Sequence, residues 1–303
     1  MNGGGAASTP VARATMFIVF SACCFGSIPI IITLATRSGA GLTDLLAWRY
    51  IVASLLLVMV SGGPLAVRMP ARRAVPLLVL AGGGQAAIAL VSLSALNYIP
   101  AATLTFLFYS YPAWVAIIAA VRGTERLTAG RAGALLLSLA GLALMVGVPG
   151  AGGLHPVGVL LALSSALLYA IYIPTIDHLG AGLPAAVTAT YASGGAAVII
   201  AGLAIASGGL ALHFAPVGWI AVMLLAVLCT VLAFLAFLRG LATIGPVRTA
   251  IVSTVEPFWA ALLGSAVLGQ QLGVRTLAGG LLIAVAVVLL QLGHRARTGA
   301  LAA

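Results

Sequence analysis

The sequence predicts an all-α integral membrane protein of ten transmembrane helices, built from two inverted repeats of five helices each. Its composition indicates the membrane, since 63% of the 303 residues are hydrophobic and only 6% are charged. A soluble protein has about 25% charged residues, which it needs to cover its surface. A duplicated segment with a Pro-x-Trp motif, at 96–137 and again at 241–282, predicts the two repeats.

The two copies align at an offset of 145 residues, which places Pro112 on Pro257 and Trp114 on Trp259. Proline is rare inside helices because it lacks the backbone N–H and clashes with the preceding turn. A Pro-x-Trp motif in two apolar segments at one offset therefore indicates an internal duplication. A duplication of this length predicts two structural units that pack against each other.

Ten segments are long enough to cross a membrane, for which a helix needs about 20 mostly apolar residues. Residues 1–12 are predicted to form a flexible tail. The first repeat is predicted to occupy 13–150, the second 151–293, and a cytoplasmic tail 294–303, with the Gly- and Pro-rich stretch 148–156 between the repeats. The predicted helices are 14–36, 44–61, 74–96, 100–121, 129–148, 156–178, 184–206, 216–239, 246–268 and 273–292.

The arginines predict the orientation of the chain, because positive residues accumulate in the cytoplasmic loops of membrane proteins. All 14 basic residues are arginines. With a cytoplasmic N-terminus, 11 of them lie on the cytoplasmic side, and only Arg37, Arg49 and Arg275 lie on the other. Both termini are therefore predicted to be cytoplasmic, and the second repeat enters the membrane from the side opposite to the first.

This architecture favours a secondary transporter, in which inverted repeats meet at a substrate site near the middle of the membrane. The chain contains four acidic residues and no lysine, so we expect neither an enzyme nor a phosphate-binding loop for ATP. The four His residues are scattered, and no metal site or cofactor is expected. The basic residues are expected in membrane-flanking loops facing the lipid bilayer, not in a nucleic-acid-binding surface.

The sequence contains several short motifs that can be compared with those of known membrane proteins. They are Ala-Leu-Asn-Tyr at 95–98, Trp-Arg-Tyr at 48–50, Pro112, the turn at 123–128, Gly141 and a second copy of that turn at 268–272. With these motifs the chain resembles the EamA-type ten-helix branch of the drug/metabolite transporter superfamily over nearly its whole length. The second turn has Gln where that family often has Glu, and 190–191, the counterpart of the Trp-Arg-Tyr motif, lacks the arginine.

The resemblance implies a bacterial inner-membrane carrier that exports metabolites through a cavity lined by both repeats. Family members include exporters of aromatic amino acids and methionine, and an amino acid of this large apolar kind is the favoured solute. Protons are a candidate coupling ion, and uncoupled export is the competing interpretation. Efflux of many drugs or of cationic compounds is the first alternative function, and a lipid scramblase or a membrane scaffold is the second.

Glu256 is the first candidate for the chemistry of transport, as a proton carrier or a partner for a substrate ammonium group. The other acids, Asp44, Glu125 and Asp177, fall at predicted helix ends, whereas Glu256 lies near the middle of the ninth helix. An ionisable group at that depth normally faces the bundle interior or a wet cavity. The alternative is a protonated side chain that hydrogen-bonds a neighbouring helix.

Pro257 cannot donate a hydrogen bond to the carbonyl of Ser253, which lies one turn earlier. The free carbonyl, the Ser253 hydroxyl and the Glu256 carboxyl are therefore predicted to share one patch. In the first repeat the equivalent residues are Phe108 and Tyr111. A polar wall facing an aromatic wall would suit an amphiphilic solute.

Both central prolines, Pro112 and Pro257, are also candidate hinges. A proline inside a helix removes one backbone hydrogen bond and bends the helix. The two prolines stand at equivalent points of the repeats, so a movement at one would be matched by a movement at the other. A packing kink without movement is the alternative.

The remaining candidate substrate-binding residues are Gln85 and Thr230, at equivalent positions of the third and eighth helices, and Tyr169 and Tyr172 of the sixth helix. Hydrogen bonds between helices would also explain the first pair. The tyrosines share one helix face with Ser165. They are predicted to lie too deep in the membrane to act as anchors at its interface.

Arg49 is predicted near the outer face of the membrane, where Asp44 is a candidate partner. We expect it to anchor the second helix, because arginines near helix ends reach the polar interface. Binding of a substrate carboxylate is the alternative role.

Overall fold

The computed structural model describes residues 10–99, 101–124, 127–146 and 155–301, and within these ranges the chain is helical with short turns and no strand. Each observed helix matches a predicted one, which confirms the all-α membrane fold with ten helices in two repeats. Helices α1 to α10 are Pro10–Arg37, Leu42–Val60, Ala71–Ala95, 101–121, Ala129–Val146, Pro156–Gly180, Ala185–Ala206, 216–244, 246–268 and Val274–Leu301.

Among the described residues, seven helical segments are long and apolar enough to cross a membrane, and the longest, Pro216–Ser253, contains α8 and the start of α9. The two helices separate at Gly245, whose φ of 77° and ψ of 168° are not helical. Glycine adopts a positive φ without steric cost, and Pro246 is suited to the first turn of the next helix. The remaining crossings are made by shorter apolar helices.

The packing of the helices follows the symmetry of an inverted repeat. Helix α1 packs along α8, α3 along α6, α2 along α7 and α5 along α10. Exchanging every helix for its equivalent in the other repeat turns the pair α1·α8 into α6·α3 and leaves α2·α7 and α5·α10 unchanged. This exchange is what a pseudo-two-fold axis between the repeats requires.

The α2·α7 pair is fastened by two equivalent hydrogen bonds, one at each end of the bundle. The indole Nε1 of Trp48 in α2 donates to the carbonyl of Ala211, 2.8 Å away in the connection after α7. The hydroxyl of Tyr191 in α7 donates to the carbonyl of Val67, also 2.8 Å away, in the connection after α2. Because both bonds are present together, α2 and α7 form a fixed pair in this conformation.

Helix α4 is interrupted at Tyr109 and Ser110, just before Pro112, and α9 is interrupted at Thr254, just before Pro257. Tyr109 and Thr254 stand at the 145-residue repeat offset. Each proline leaves a carbonyl of the preceding turn without its backbone donor. The same interruption therefore occurs in both repeats and in the same place.

A related irregularity affects α1, which consists of Pro10–Gly26 and Ile28–Arg37 on either side of Ser27. Pro29 follows the break, and its equivalent at the repeat offset is Pro174 inside α6. Helices α3 and α8 each contain one π-helical segment, Leu77–Gly82 and Val227–Leu232. Irregular turns thus gather in the helices that surround the centre of the bundle.

Candidate functional site

A cavity of about 1320 Å³ is found at the end of the bundle where α1 begins. It lies between the start of α1, the last turns of α4 and α6, the first turns of α7, and the junction of α8 with α9, so both repeats form its wall. The arginine count assigns this end to the cytoplasm. Its wall includes Phe17, Leu80, Val115, Pro174, Thr188 and Leu241.

The wall of this cavity is rich in positive charge. Arg13 of α1, Arg122 after α4 and Arg239 of α8 all line it, together with Asp177 and His178 near the end of α6. A concave surface with an excess of one charge raises the local concentration of ligands of the opposite charge. The cavity is therefore suited to attract solutes that carry an anionic group.

Five aromatic rings form an aromatic cluster between α4 and α6, made of Phe108, Tyr109, Tyr111, Tyr169 and Tyr172. The ring centroids of Tyr111 and Tyr169 are 4.7 Å apart, and those of Phe108 and Tyr169 are 5.5 Å apart. Aromatic pairs at such distances contribute about 0.5–1.5 kcal/mol beyond the burial of their surface. The cluster therefore packs α4 of the first repeat against α6 of the second.

The aromatic cluster lies next to the inner end of the cavity. Tyr111 stands one helical turn before Val115, and Tyr172 stands two residues before Pro174. Both Val115 and Pro174 line the cavity, whereas Tyr111 is fully buried. None of the eight residues predicted to bind substrate lines the cavity, and the tyrosines among them are packed just beyond its wall.

Glu256 is half-buried in α9 and lies beside the aromatic cluster. The Tyr109 side chain is within hydrogen-bonding reach of its carboxyl, and Tyr111 lies close to Ser253. A Cβ placed on Gly26 of α1 would come 2.6 Å from the Glu256 carbonyl oxygen and 3.3 Å from its Cγ. The Glu256 carboxyl thus lies where α1, α4 and α9 meet. Ser253 and Tyr111, which the sequence predicts to lie near it, are in the same region.

The two copies of the Pro-x-Trp motif differ in their surroundings. Trp259 of α9 donates from Nε1 to the Ser27 hydroxyl, 3.1 Å away at the break in α1. Trp114, its equivalent in α4, is 37% exposed. The motif therefore connects α9 to α1 in the second repeat and makes no equivalent side-chain hydrogen bond in the described part of the first repeat.

Thr230 is buried in the π-helical segment of α8 and contacts an arginine. Its hydroxyl accepts a hydrogen bond from Nε of Arg49 at 2.7 Å and donates one to the Leu225 carbonyl at 2.8 Å. The Nη2 group of Arg49 donates to the Cys229 carbonyl at 3.1 Å. Arg49 is only 5% exposed, so it reaches into the bundle, while Asp44 accepts a hydrogen bond from the backbone N–H of Ala211.

Gln85 is half-buried in α3, and its Oε1 has no hydrogen-bond partner among the described residues. A Cβ on the neighbouring Gly84 would come 3.1 Å from Cδ2 of Tyr172, so this turn of α3 touches the aromatic cluster. The hydroxyls of Tyr111, Tyr172 and Ser21 are likewise enclosed without a partner in the part of the chain that the structure describes. Buried polar atoms are nearly always paired in folded proteins, which marks this region as more polar than packing requires.

Two ionisable residues from different repeats lie near Cys229. This cysteine lies within electrostatic reach of both Arg49 of α2 and Glu256 of α9, and Cys23 of α1 lies within reach of Glu256. Across the described ranges, no group of three His, Cys, Asp or Glu residues is placed to hold a metal ion. Among the described residues, Arg49 and Glu256 thus bring a cation and a carboxyl group to the neighbourhood of the same cysteine.

A model of the EamA-like transporter family matches residues 12–147 and matches again at 156–292. The chain belongs to the EamA-like transporter family. It is therefore a multi-pass membrane transporter of small molecules, with one family match in each repeat. A solved structure titled "Crystal structure of protein" has a similar fold, with a TM-score of 0.77 and 20% identity over 93% of this chain and 97% of that chain. No curated protein matches this EamA-like chain.

Proposed function

We propose that this protein is a secondary transporter of the bacterial inner membrane that exports small amphiphilic metabolites, above all aromatic and large apolar amino acids. The observation that carries the proposal is the cluster of five aromatic rings beside Glu256, which lies one helical turn or less along α4 and α6 from residues that line the cavity. Aromatic rings bind a large apolar side chain, and a carboxylate pairs with an ammonium group. An amino acid of this kind presents both groups on one small molecule.

Alternating access is supported by the equivalent breaks in α4 and α9. The outer end of the bundle is packed by Trp48 and Phe214, whose rings both lie 5.3 Å from that of Trp219. The cavity lies at the opposite end. By pseudo-symmetry, bending both repeats at their central breaks would close the cytoplasmic cavity and open an equivalent one outside.

Counterflow into proteoliposomes tests the proposal. The purified transporter is reconstituted with an excess of one unlabelled amino acid inside, and uptake of the same labelled amino acid is followed with and without a pH gradient. We expect uptake of phenylalanine, tryptophan or methionine well above that of glycine and above protein-free liposomes. Transport of no amino acid would contradict the proposal.

The same experiment separates two versions of the mechanism. Uptake driven by the pH gradient would indicate proton-coupled transport, with Glu256 as the proton carrier. Uptake that is unaffected by the gradient would indicate facilitated export, with Glu256 as the partner of the substrate ammonium group. The absence of uptake for every solute tested would instead favour a scramblase or a scaffold.

Efflux of cationic compounds is the second candidate, and the position of Glu256 next to stacked aromatic rings favours it. A carboxylate and the faces of aromatic rings both attract a cation. A cationic aromatic compound without a carboxylate, such as ethidium, is the discriminating probe. Ethidium competing with phenylalanine for uptake at equal or lower concentration would favour this candidate over an amino-acid exporter.

A further inference from the structure

Arg49 is a positive charge held inside the membrane region by neutral partners. Its Nε and Nη2 groups bond to the Thr230 hydroxyl and the Cys229 carbonyl of α8, at 2.7 and 3.1 Å, and its Cζ lies 5.0 Å from the ring centroid of Tyr50. In the part of the chain that the structure describes, no carboxylate pairs with this guanidinium. Burying an arginine without a counter-charge is costly.

The guanidinium also has unused donor capacity. Arginine has five N–H donors in a planar fork that matches both oxygens of a carboxylate. The Nη1 group makes no hydrogen bond to the described residues, and it is not among the polar atoms that the protein encloses completely. Nη1 therefore keeps N–H donors that the described residues leave unused.

The backbone around Arg49 is suited to holding it in place. Its two partners belong to the π-helical segment Val227–Leu232, and such wide turns frequently occur at functional sites because they free backbone carbonyls. Thr230 is fixed in turn by its bond to the Leu225 carbonyl. The guanidinium is thus held in one orientation, with its free edge available.

We propose that Arg49 binds the carboxylate of the transported solute, so that the substrate lies between Arg49 of the first repeat and Glu256 of the second. This inference rests on the proposed function and adds to it the class of substrate: molecules with a carboxylate. Arg13, Arg122 and Arg239 in the cavity wall favour the arrival of the same class of solute.

A structural role for Arg49 makes a different prediction. If the residue only fastens α2 to α8, its loss weakens binding of every ligand alike, because the whole site is disturbed. If it binds the carboxylate, its loss weakens binding of acids and spares their uncharged analogues. The ratio of the two affinities therefore distinguishes the roles, whatever happens to overall stability.

The test compares acids with their amides. Thermal stabilisation of the purified protein is titrated with phenylalanine and phenylalaninamide, and with 3-phenylpropionate and 3-phenylpropionamide. The proteins are the wild type, Arg49→Gln, Arg49→Lys and the control Arg37→Gln, which removes an exposed arginine at the end of α1. We expect the wild type and the control to prefer each acid over its amide by about tenfold or more, the effect of a lost charged hydrogen bond.

In Arg49→Gln we expect this preference to disappear through weaker binding of the acids, with the amides changed little, and Arg49→Lys to keep part of it. An equal loss for acids and amides, or an unchanged preference, would overturn the carboxylate role. Should Arg49→Gln fail to fold, the wild type and Arg49→Lys still decide the matter, because a wild type without preference for acids contradicts it. Preference for 3-phenylpropionate without binding of phenylalanine would refute the amino-acid proposal and retain this one.

Discussion

Helices α4 and α9 have the same backbone design and different chemistry. Each is interrupted near its middle, and each continues with Pro-x-Trp at the repeat offset of 145 residues. At the interruption α4 has Tyr109 and Tyr111, where α9 has Thr254 and Glu256. One helix thus presents aromatic rings to the centre of the bundle, and the other presents a carboxyl group.

This difference separates two requirements of a transporter with inverted repeats. Under the proposed alternating access, both repeats bend in the exchange between conformations, and the duplicated breaks and prolines would allow this. Under the proposed function, a solute with one apolar end and one charged end needs different groups on the two sides. The backbone is therefore pseudo-symmetric, and the side chains around the centre are not.

Replacing Tyr111 is expected to have the largest effect on stability. Its side chain is fully buried among the rings of Tyr109 and Tyr169, so Tyr111→Ala should lower the free energy of unfolding by about 3–5 kcal/mol. The control Tyr111→Phe keeps the ring and removes a hydroxyl that makes no hydrogen bond to the described residues, and should stay within about 0.5 kcal/mol of the wild type. Unfolding in detergent micelles measures both, and equal losses would contradict the packing role.

Changing the equivalent residue of α9 should instead affect function. Glu256→Gln preserves the size of the side chain and removes its ability to titrate, so we expect any pH dependence of transport to vanish while the thermal stability stays near that of the wild type. Transport in proteoliposomes across a series of pH values measures it. A pH dependence that persists in the variant would exclude Glu256 as the proton carrier.

The prolines test the shared part of the design. Pro112→Ala and Pro257→Ala restore a backbone donor at each break, so each should slow the exchange between conformations several-fold and the double variant should be slower still. Initial rates of counterflow report this exchange at saturating substrate. Wild-type rates in both single variants would show that the breaks are packing kinks.

The smallest expected effect concerns the two tryptophans. Trp259→Phe removes the hydrogen bond to Ser27 and should lower the free energy of unfolding by about 1 kcal/mol. Trp114→Phe, the matched change in α4, removes no hydrogen bond among the described residues and should be closer to neutral. A larger loss of stability in Trp114→Phe than in Trp259→Phe would contradict the conclusion that only the tryptophan of the second repeat connects two helices.

The membrane crossings could be predicted because hydropathy and helix breakers act locally. The second helix, predicted at 44–61, is Leu42–Val60, and the seventh, predicted at 184–206, is Ala185–Ala206. The break in α1 and the π-helical segments were not predicted. They interrupt the chain for only a few residues inside apolar segments, where hydropathy does not change.

The aromatic and acidic residues of the site were also accessible to sequence reasoning. The repeat offset pointed to Phe108, Tyr111, Ser253 and Glu256, and the structure brings them close together. Tyr109, which lies beside Glu256, was not among the predicted site residues. Its position just before Pro112, equivalent to that of Thr254 before Pro257, could have indicated it.

The depth of Arg49 could not be predicted in the same way. The sequence of a membrane helix that is apolar on all sides carries little information about which face points inward. The orientation of α2 about its own axis is therefore seen only in its packing against other helices. Its contact with α8 joins residues 181 positions apart. The placement of the cavity could not be predicted either, since it depends on how helices of both repeats pack at one end of the bundle.

The central claim is that one pseudo-symmetric frame opens to one side of the membrane at a time, and paired labelling tests it most directly. Ile118 lines the cavity, and Leu263 is its equivalent at the repeat offset. Each is changed to cysteine in a background without Cys23, Cys24 and Cys229, and a membrane-impermeant maleimide is applied to either face of sealed vesicles.

We predict that Ile118→Cys is labelled only from the cytoplasmic face. Leu263→Cys should be labelled only from the outer face, and less than Ile118→Cys in the absence of substrate. Substrate with exchange in progress should lower the first signal and raise the second. Labelling of both cysteines from the same face, or of either cysteine from both faces, would contradict the account.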